Sequence, residues 1–152
     1  MTVLKVVYPE LPPSSNKIYF HGTILRKEAR EYAERFAYYF AQNHLHEASN
    51  LNPNALYALV MNFYFETVVN QTYNDPNVKA SKRAKTRYKK FDLTNRIKLL
   101  EDCFRDAVGI DDSQTFVAFQ GKYMDPNFPR VELFFYEVEP MQFGIPQEML
   151  LR

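Results

Sequence analysis

Between Ala55 and Thr67 the odd positions Tyr57, Leu59, Met61, Phe63 and Phe65 are all apolar. Successive side chains of a strand point to opposite faces, so this period of two gathers five large apolar groups on one face. Such a strand needs a cover, and its aromatics are core before they are a base-stacking platform. Two segments with a 3.6-residue period can supply that cover. Arg26 to Ala48 reads as a long helix with Ala29, Ala33, Phe36, Phe40 and His44 along one side, ended by Asn50, Asn52 and Pro53. A second helix begins at Asp92 and carries Leu93, Ile97, Leu100, Phe104 and Ala107 or Val108 on its apolar stripe. Gly109 follows, where a left-handed C′ position suits a residue without a Cβ. Strands are predicted over 2–8, 115–122 and 130–139, the last two joined by the turn "MDPNFP". The order β-α-β-loop-α-β-β predicts an α+β domain with its helices packed on one small mixed sheet.

At 152 residues the chain reads as a single domain, 1–152, with no internal repeat. Cys103 is its only cysteine, which excludes an internal disulfide and points to a reducing compartment. Flanking the apolar stripe, that thiol reads as buried and structural rather than nucleophilic. The longest apolar run, Leu56 to Phe65, is interrupted by Asn62 and is half of a membrane span. Pro9 and Glu10 come too soon for a charged and then apolar leader. A protein free of the membrane and cytoplasmic is expected. His44 and His46 are two apart, so a helix directs them to different faces and they read as surface or packing residues rather than a metal pair. Ser14 and Ser15 read as loop, and the tail "PMQFGIPQEMLLR" has no clear period.

The net charge of +1 conceals an uneven distribution. The stretch "KASKRAKTRYKK", Lys79 to Lys90, holds seven basic residues and no acid; the other 12 basic residues face 18 acidic ones, a balance of −6. This block sits in a loop at about 70–91, between a strand and a helix. Clustered cations attract a phosphate backbone because each neutralised phosphate releases condensed counterions. Lys82, Arg83, Lys85, Arg87, Lys89 and Lys90 are therefore the candidate DNA contacts, and Tyr88 offers a stacking surface. A solvated linker would have the same composition. A loop of about twenty residues in so small a domain tends to be functional or disordered.

The helix that follows has acids at both ends: Asp92 before it, Asp111 and Asp112 after it. Asn95, Lys98 and Asp102 share its polar face. Carboxylates brought together from separate elements are hard oxygen ligands suited to Mg²⁺ or Mn²⁺, and they repel one another unless a cation joins them. A metal so held can polarise a phosphodiester, and a lysine nearby can stabilise the charge that builds up. Asp92, Asp112 and Lys98 supply such parts. They also suit a plainer role: Asp92 as an N-cap, Asp111 and Asp112 as a turn, Lys98 as a surface residue.

The run from Lys89 and Lys90 through "DLTN" (Asp92 to Asn95), Lys98, Asp102 and "GIDD" (Gly109 to Asp112) resembles the core motif of RusA-type Holliday junction resolvases. That family has basic residues, Asp-Leu-Asp-Asn, a Lys three residues later, an Asp-containing helix and Gly-x-x-Asp-Asp. "LPPSSNKIYFH", Leu11 to His21, resembles the family's opening Pro-Pro-Ser-x-Asn with aromatic and basic residues after it. The two motifs stand in the right order, and the likeness spans most of the chain. It implies a homodimeric, Mg²⁺-dependent endonuclease (Mn²⁺ serving also) that nicks four-way DNA junctions. It also implies that Asp92 and Asp112 are metal ligands and Lys98 the catalytic lysine. One position departs from the pattern. The family's second aspartate is Thr94 here, a metal ligand without a charge, with Asp102 or Asp111 as substitutes. A non-cutting, branched-DNA-binding relative with a degraded metal site is the alternative.

Overall fold

The computed structural model describes residues 3–14, 17–21, 24–91, 93–146 and 148–149. Strand β1 (Val3–Tyr8) leads into a short hairpin of β2 (Tyr19–Phe20) and β3 (Ile24–Leu25). Helices α1 (Lys27–Asn43) and α2 (Leu45–Ser49), strand β4 (Leu56–Phe65), helix α3 (Thr94–Val108) and strands β5 (Thr115–Met124) and β6 (Arg130–Val138) follow. The main sheet has the order β1-β6-β4-β5. β6 runs antiparallel to both β1 and β4, while β5 lies parallel to β4. The fold is the expected α+β arrangement on a mixed sheet.

The period of two in β4 decides which face is covered. Tyr57, Leu59, Met61, Phe63 and Phe65 are all buried, and the register places Leu59 opposite Phe135 of β6. Leu4, Val6 and Tyr8 of β1 and Val131, Leu133 and Phe135 of β6 complete the inner face. Against it lie Ala29, Tyr32, Phe36 and Phe40 of α1 and Leu99, Leu100, Cys103 and Phe104 of α3. Phe104 ties the layers together, its ring edge-on to Phe40 at 6.2 Å and to Phe135 at 5.1 Å. Gly109 ends α3 at φ 71°, ψ 21°, its amide donating to the Arg105 carbonyl. Only a residue without a Cβ takes that left-handed conformation at no steric cost.

Four local features differ from the sequence reading. The single helix over 26–48 is two, broken at His44, whose φ of −133° is not helical. The His44 imidazole rests 5.6 Å from the Phe40 ring and its Nδ1 is 3.3 Å from Glu47, which fixes the break. The β2–β3 hairpin is too short to show a period. On α3 the buried face is broader than the expected stripe, because Leu99 and Cys103 turn to α1 while Leu100 and Phe104 turn to the sheet. A helix wedged between two neighbours needs a wider apolar face than one lying on a sheet alone. Finally, α3 starts at Thr94 with Leu93 in the N-cap position and no side-chain cap there; Asp92 lies outside the described residues. The Cys103 thiol is buried as expected, and burial pushes it up to about 12, so it stays protonated at neutral pH. No helix among the described residues is long and apolar enough to cross a membrane.

Since Phe104 is 1 % exposed and touches both layers, Phe104→Ala should cost about 3–5 kcal/mol of stability. Urea unfolding read by circular dichroism checks this: the midpoint should fall at unchanged slope. A loss below about 1 kcal/mol would mean that α3 is not seated on the sheet as described.

Candidate active site and nucleic-acid interface

The basic loop leaves β4 at Phe65 and returns at Phe91, and those two rings stack with centroids 4.1 Å apart. The buried Arg96 of α3 lies over both, 5.3 Å and 5.5 Å from their centroids. Further out the loop closes on itself. The Lys89 amide donates to Val68 O at 2.9 Å and the Asn70 amide to Arg87 O at 2.9 Å. Asn70 Nδ2 donates to Thr86 O at 2.8 Å, and the Ala84 amide to Thr72 Oγ1 at 3.0 Å. Backbone hydrogen bonds met within the loop hold it in one shape.

On that frame Lys79, Lys82, Lys85, Arg87, Lys89 and Lys90 are exposed. Arg83 is half-buried and its Nε donates to Val78 O at 2.8 Å, so one of the candidate DNA contacts also braces the loop. Among the described residues none of these seven cations forms an ion pair. Arg87 lies 5.7 Å from the Tyr73 ring, and Tyr88 is exposed beside it. The result is a fixed array of unneutralised charge with an aromatic edge.

Lys98 stands in the second turn of α3, exposed, with Nζ 4.6 Å from the centre of the Tyr19 ring. Both line a groove of about 440 Å³ between α1 and α3, floored by Ala33, Ala37 and Phe40. Thus the two motif-bearing stretches, distant in sequence, meet here. The Tyr19 hydroxyl is buried without a hydrogen-bond partner among the described residues, and burial, with Asp102 and Cys103 adding, raises its pKa. In the sequence Tyr19 is one aromatic among many, and nothing there sets it apart. Before it, Glu10 accepts from Arg35 and from the Tyr8 hydroxyl, and its carbonyl accepts from Tyr32 at 3.0 Å. These bonds fix the proline-rich entry to the hairpin against α1.

The acids of "GIDD" have separate tasks. Asp111 caps a 3-10 turn over Asp112–Gln114, its carboxylate accepting from the Ser113 amide at 2.9 Å; the bonds with Ser113 lower its pKa. Asp112 is exposed, and its Oδ2 is 2.9 Å from Nη1 of Arg105. Arg105 also pairs with Asp102, so one guanidinium sits between two carboxylates at the C-terminal end of α3. Neither Arg105 nor Arg96 signals its role in the sequence, where a helical arginine reads as solvated.

Thr94 is at the other end. α3 has fifteen residues, roughly 21 Å at 1.5 Å per residue. Among the described residues no three His, Cys, Asp or Glu side chains lie together so as to hold a metal. Within one chain the described donors therefore do not fit a divalent ion: Thr94 and Asp112 are brought to opposite ends of a helix. Asp92 lies outside the described residues.

Residues 10–135, most of the chain, match the family described as "Endodeoxyribonuclease RusA". No curated protein matches. Two solved structures of the periplasmic domain of Helicobacter pylori MotB are similar at a low level. The form spanning residues 97–256 is 15% identical, with 93% of this chain and 82% of that one covered and a TM-score of 0.34. The form spanning residues 90–256 is 14% identical, with 93% and 77% covered and a TM-score of 0.36. Such scores carry no structural or functional meaning. The match over residues 10–135, with both motif stretches meeting at Tyr19 and Lys98, places the chain in the RusA endodeoxyribonuclease family.

Proposed function

We propose that this chain is a structure-specific, Mg²⁺-dependent endonuclease, with Mn²⁺ as a substitute, that acts as a cytoplasmic homodimer to resolve four-way DNA junctions. The observation that carries the reading is the family match over residues 10–135. The basic array supports it, since six exposed cations on a loop fixed at both ends suit the phosphates of a branched duplex. Lys98, close to where that loop enters α3, stabilises charge on a phosphate held there. Asp92, Thr94 and Asp112 are the donors that the family resemblance offers for a cation, which would polarise the phosphodiester if bound. Since Thr94 and Asp112 stand at opposite ends of α3, no more than one of these two would hold it within one chain. The Arg105 guanidinium orients the Asp112 carboxylate at 2.9 Å.

Two observations favour a second reading, that of a junction-binding relative that does not cut. Thr94 brings a hydroxyl where the family has a carboxylate, and Asp112 is already neutralised by Arg105. Both features reduce the pull on a divalent ion.

Pure protein incubated with a labelled four-way junction separates the two: paired nicks with Mg²⁺ or Mn²⁺ and none without it. Binding without nicks under every metal would establish the second reading instead.

Neutralising Lys82, Lys85 and Arg87 together should weaken junction binding and flatten its salt dependence. The slope of log K against log salt should drop by roughly 0.9 for each phosphate that the loop no longer neutralises. An unchanged slope would reduce the loop to a solvated linker.

Thr94→Asp adds an anionic donor in the first turn of α3, where the helix dipole favours a carboxylate. Calorimetry should show tighter Mg²⁺ binding, and nicking should reach half its maximum at lower metal. A folded variant needing more metal than the parent would remove Thr94 from the ligand set.

A further inference from the structure

We propose that the outer face of the main sheet, at its Phe65 end, is a stacking surface for unpaired bases of the DNA that the basic loop grips. This rests on the DNA-binding part of the nuclease reading and not on cutting. Residues directly opposite in register share a face. Tyr123, Tyr64 and Arg130 therefore lie in one row across β5, β4 and β6, with Phe119, Val60 and Phe134 in a row further down. These positions alternate with the inner Leu59, Met61, Phe63 and Phe65, so they point away from both helices. At the other end of the face Leu56 and Ala58 are buried. Toward Phe65 it opens: Phe119 is 57 % exposed, Tyr123 47 % and Phe128 45 %. Parallel strands are ordinarily covered on both sides, and rings left in water beside such a pair mark a binding surface.

These rings are held in place. Tyr64 and Tyr123 stack with centroids 5.0 Å apart and planes 22° from parallel. The Arg130 guanidinium lies 3.9 Å from the Tyr64 ring and 5.1 Å from that of Phe128, so one stack runs across three strands. Gly121 sets where it ends. A Cβ at that position would fall 2.6 Å from Cε2 of Tyr123, so the ring folds back over the glycine, and only glycine leaves it room. Rings fixed during folding accept another flat group with little further loss of freedom.

What adjoins the rings selects the occupant. Arg130 is already held by Asp125 at 2.8 Å and Glu132 at 3.1 Å, so the surface offers ring faces and no free cation of its own to a phosphate at this corner. The cations stand next door. Lys89 and Lys90 come just before Phe91, which stacks on Phe65, the residue after Tyr64. A second protein would use the rings and gain nothing from that array. Single-stranded nucleic acid uses both, its backbone on the cations and its bases on the rings. A paired duplex hides its base faces in its own stack, so it engages the loop alone. A strand that leaves a duplex arm at a branch reaches from loop to sheet. The surface thus recognises unpaired bases without reading sequence, since every base has a π face.

The test reads binding by the full-length protein in chelator, so that cutting does not enter. The probes are a blunt duplex and the same duplex with a single-stranded tail carrying 2-aminopurine. The parent should prefer the tailed probe and quench its fluorescence. Phe119→Ala and Tyr123→Ala together should weaken tailed binding by about tenfold for each ring lost and abolish the quenching. Blunt-duplex affinity and the salt slope should stay as they were, because no phosphate contact is removed. Leucine replaces alanine at both positions if circular dichroism shows that the double variant has lost its fold. Gly121→Ala keeps every ring but displaces Tyr123, and should lose part of the preference for the tail. No quenching by the parent, or a folded double variant that binds the tailed probe as the parent does, overturns the stacking surface and leaves the nuclease reading standing. A double variant that changes only in sedimentation, from dimer to monomer, also overturns it and gives the face to a second copy. If the rings behave as expected but the wild type never nicks a junction with any metal, the nuclease reading fails and the stacking surface stands.

Discussion

The parallel pairing of β4 with β5 is the constraint on which the rest of this structure depends. Antiparallel neighbours can be joined by a tight turn, but parallel ones need a crossover as long as the strands themselves. The chain fills that crossover with the basic loop on the outward leg and α3 on the return. Burial of the inner row of β4 requires a cover, and α3 provides it with Leu99, Leu100, Cys103 and Phe104. The helix is thereby committed to lie along the sheet, with Thr94 at one end and Asp112 just past the other. Placement of the polar groups follows from this single topological demand.

How much of this could be read from the residues depended on the length over which a pattern persists. β4, with five alternating apolar positions, and β6 were legible with nearly correct bounds, and Gly109 marked the end of α3. The two-residue strands of the hairpin contain no full period of anything. The break at His44 arises from a tertiary contact with Phe40 and a local bond to Glu47, neither of which has a sequence signature. Arg96 shows the limit most clearly. A cation in a helical stripe reads as polar surface, yet two stacked phenylalanines accept it in the interior. The residues of the candidate site could be named from the motifs, but not their geometry: Thr94 and Asp112 lie at opposite ends of α3, while Lys98 meets Tyr19 from a distant stretch.

Electrostatics divides the molecule into two regions with different rules. Near the C-terminal end of α3, Arg105 serves Asp102 and Asp112 together, so one cation is shared by two acids. Arg130 does the same on the outer face, with Asp125 at 2.8 Å and Glu132 at 3.1 Å, its guanidinium 3.9 Å from the Tyr64 ring. The cations of the loop from Lys79 to Lys90 have no such acidic partners among the described residues. A chain of net charge +1 thus sets seven cations in one loop against a balance of −6 over the rest, and presents its positive charge at one place. Attraction for a polyanion is focused there instead of being spread over the protein.

The stacking of Phe65 on Phe91 beneath Arg96 has a further consequence for that loop. Its two ends are clasped to the same corner of the core, and the pairing of Val69 with Tyr88 closes it just beyond. A tether free to wander would lose much of its conformational freedom on gripping a ligand, and would grip any flexible polyanion equally well. A preorganised loop has lost that freedom during folding. Its charges stand at set intervals before any ligand arrives, so a rigid polyanion with charges at matching intervals would lose less on docking there than a flexible coil of equal charge.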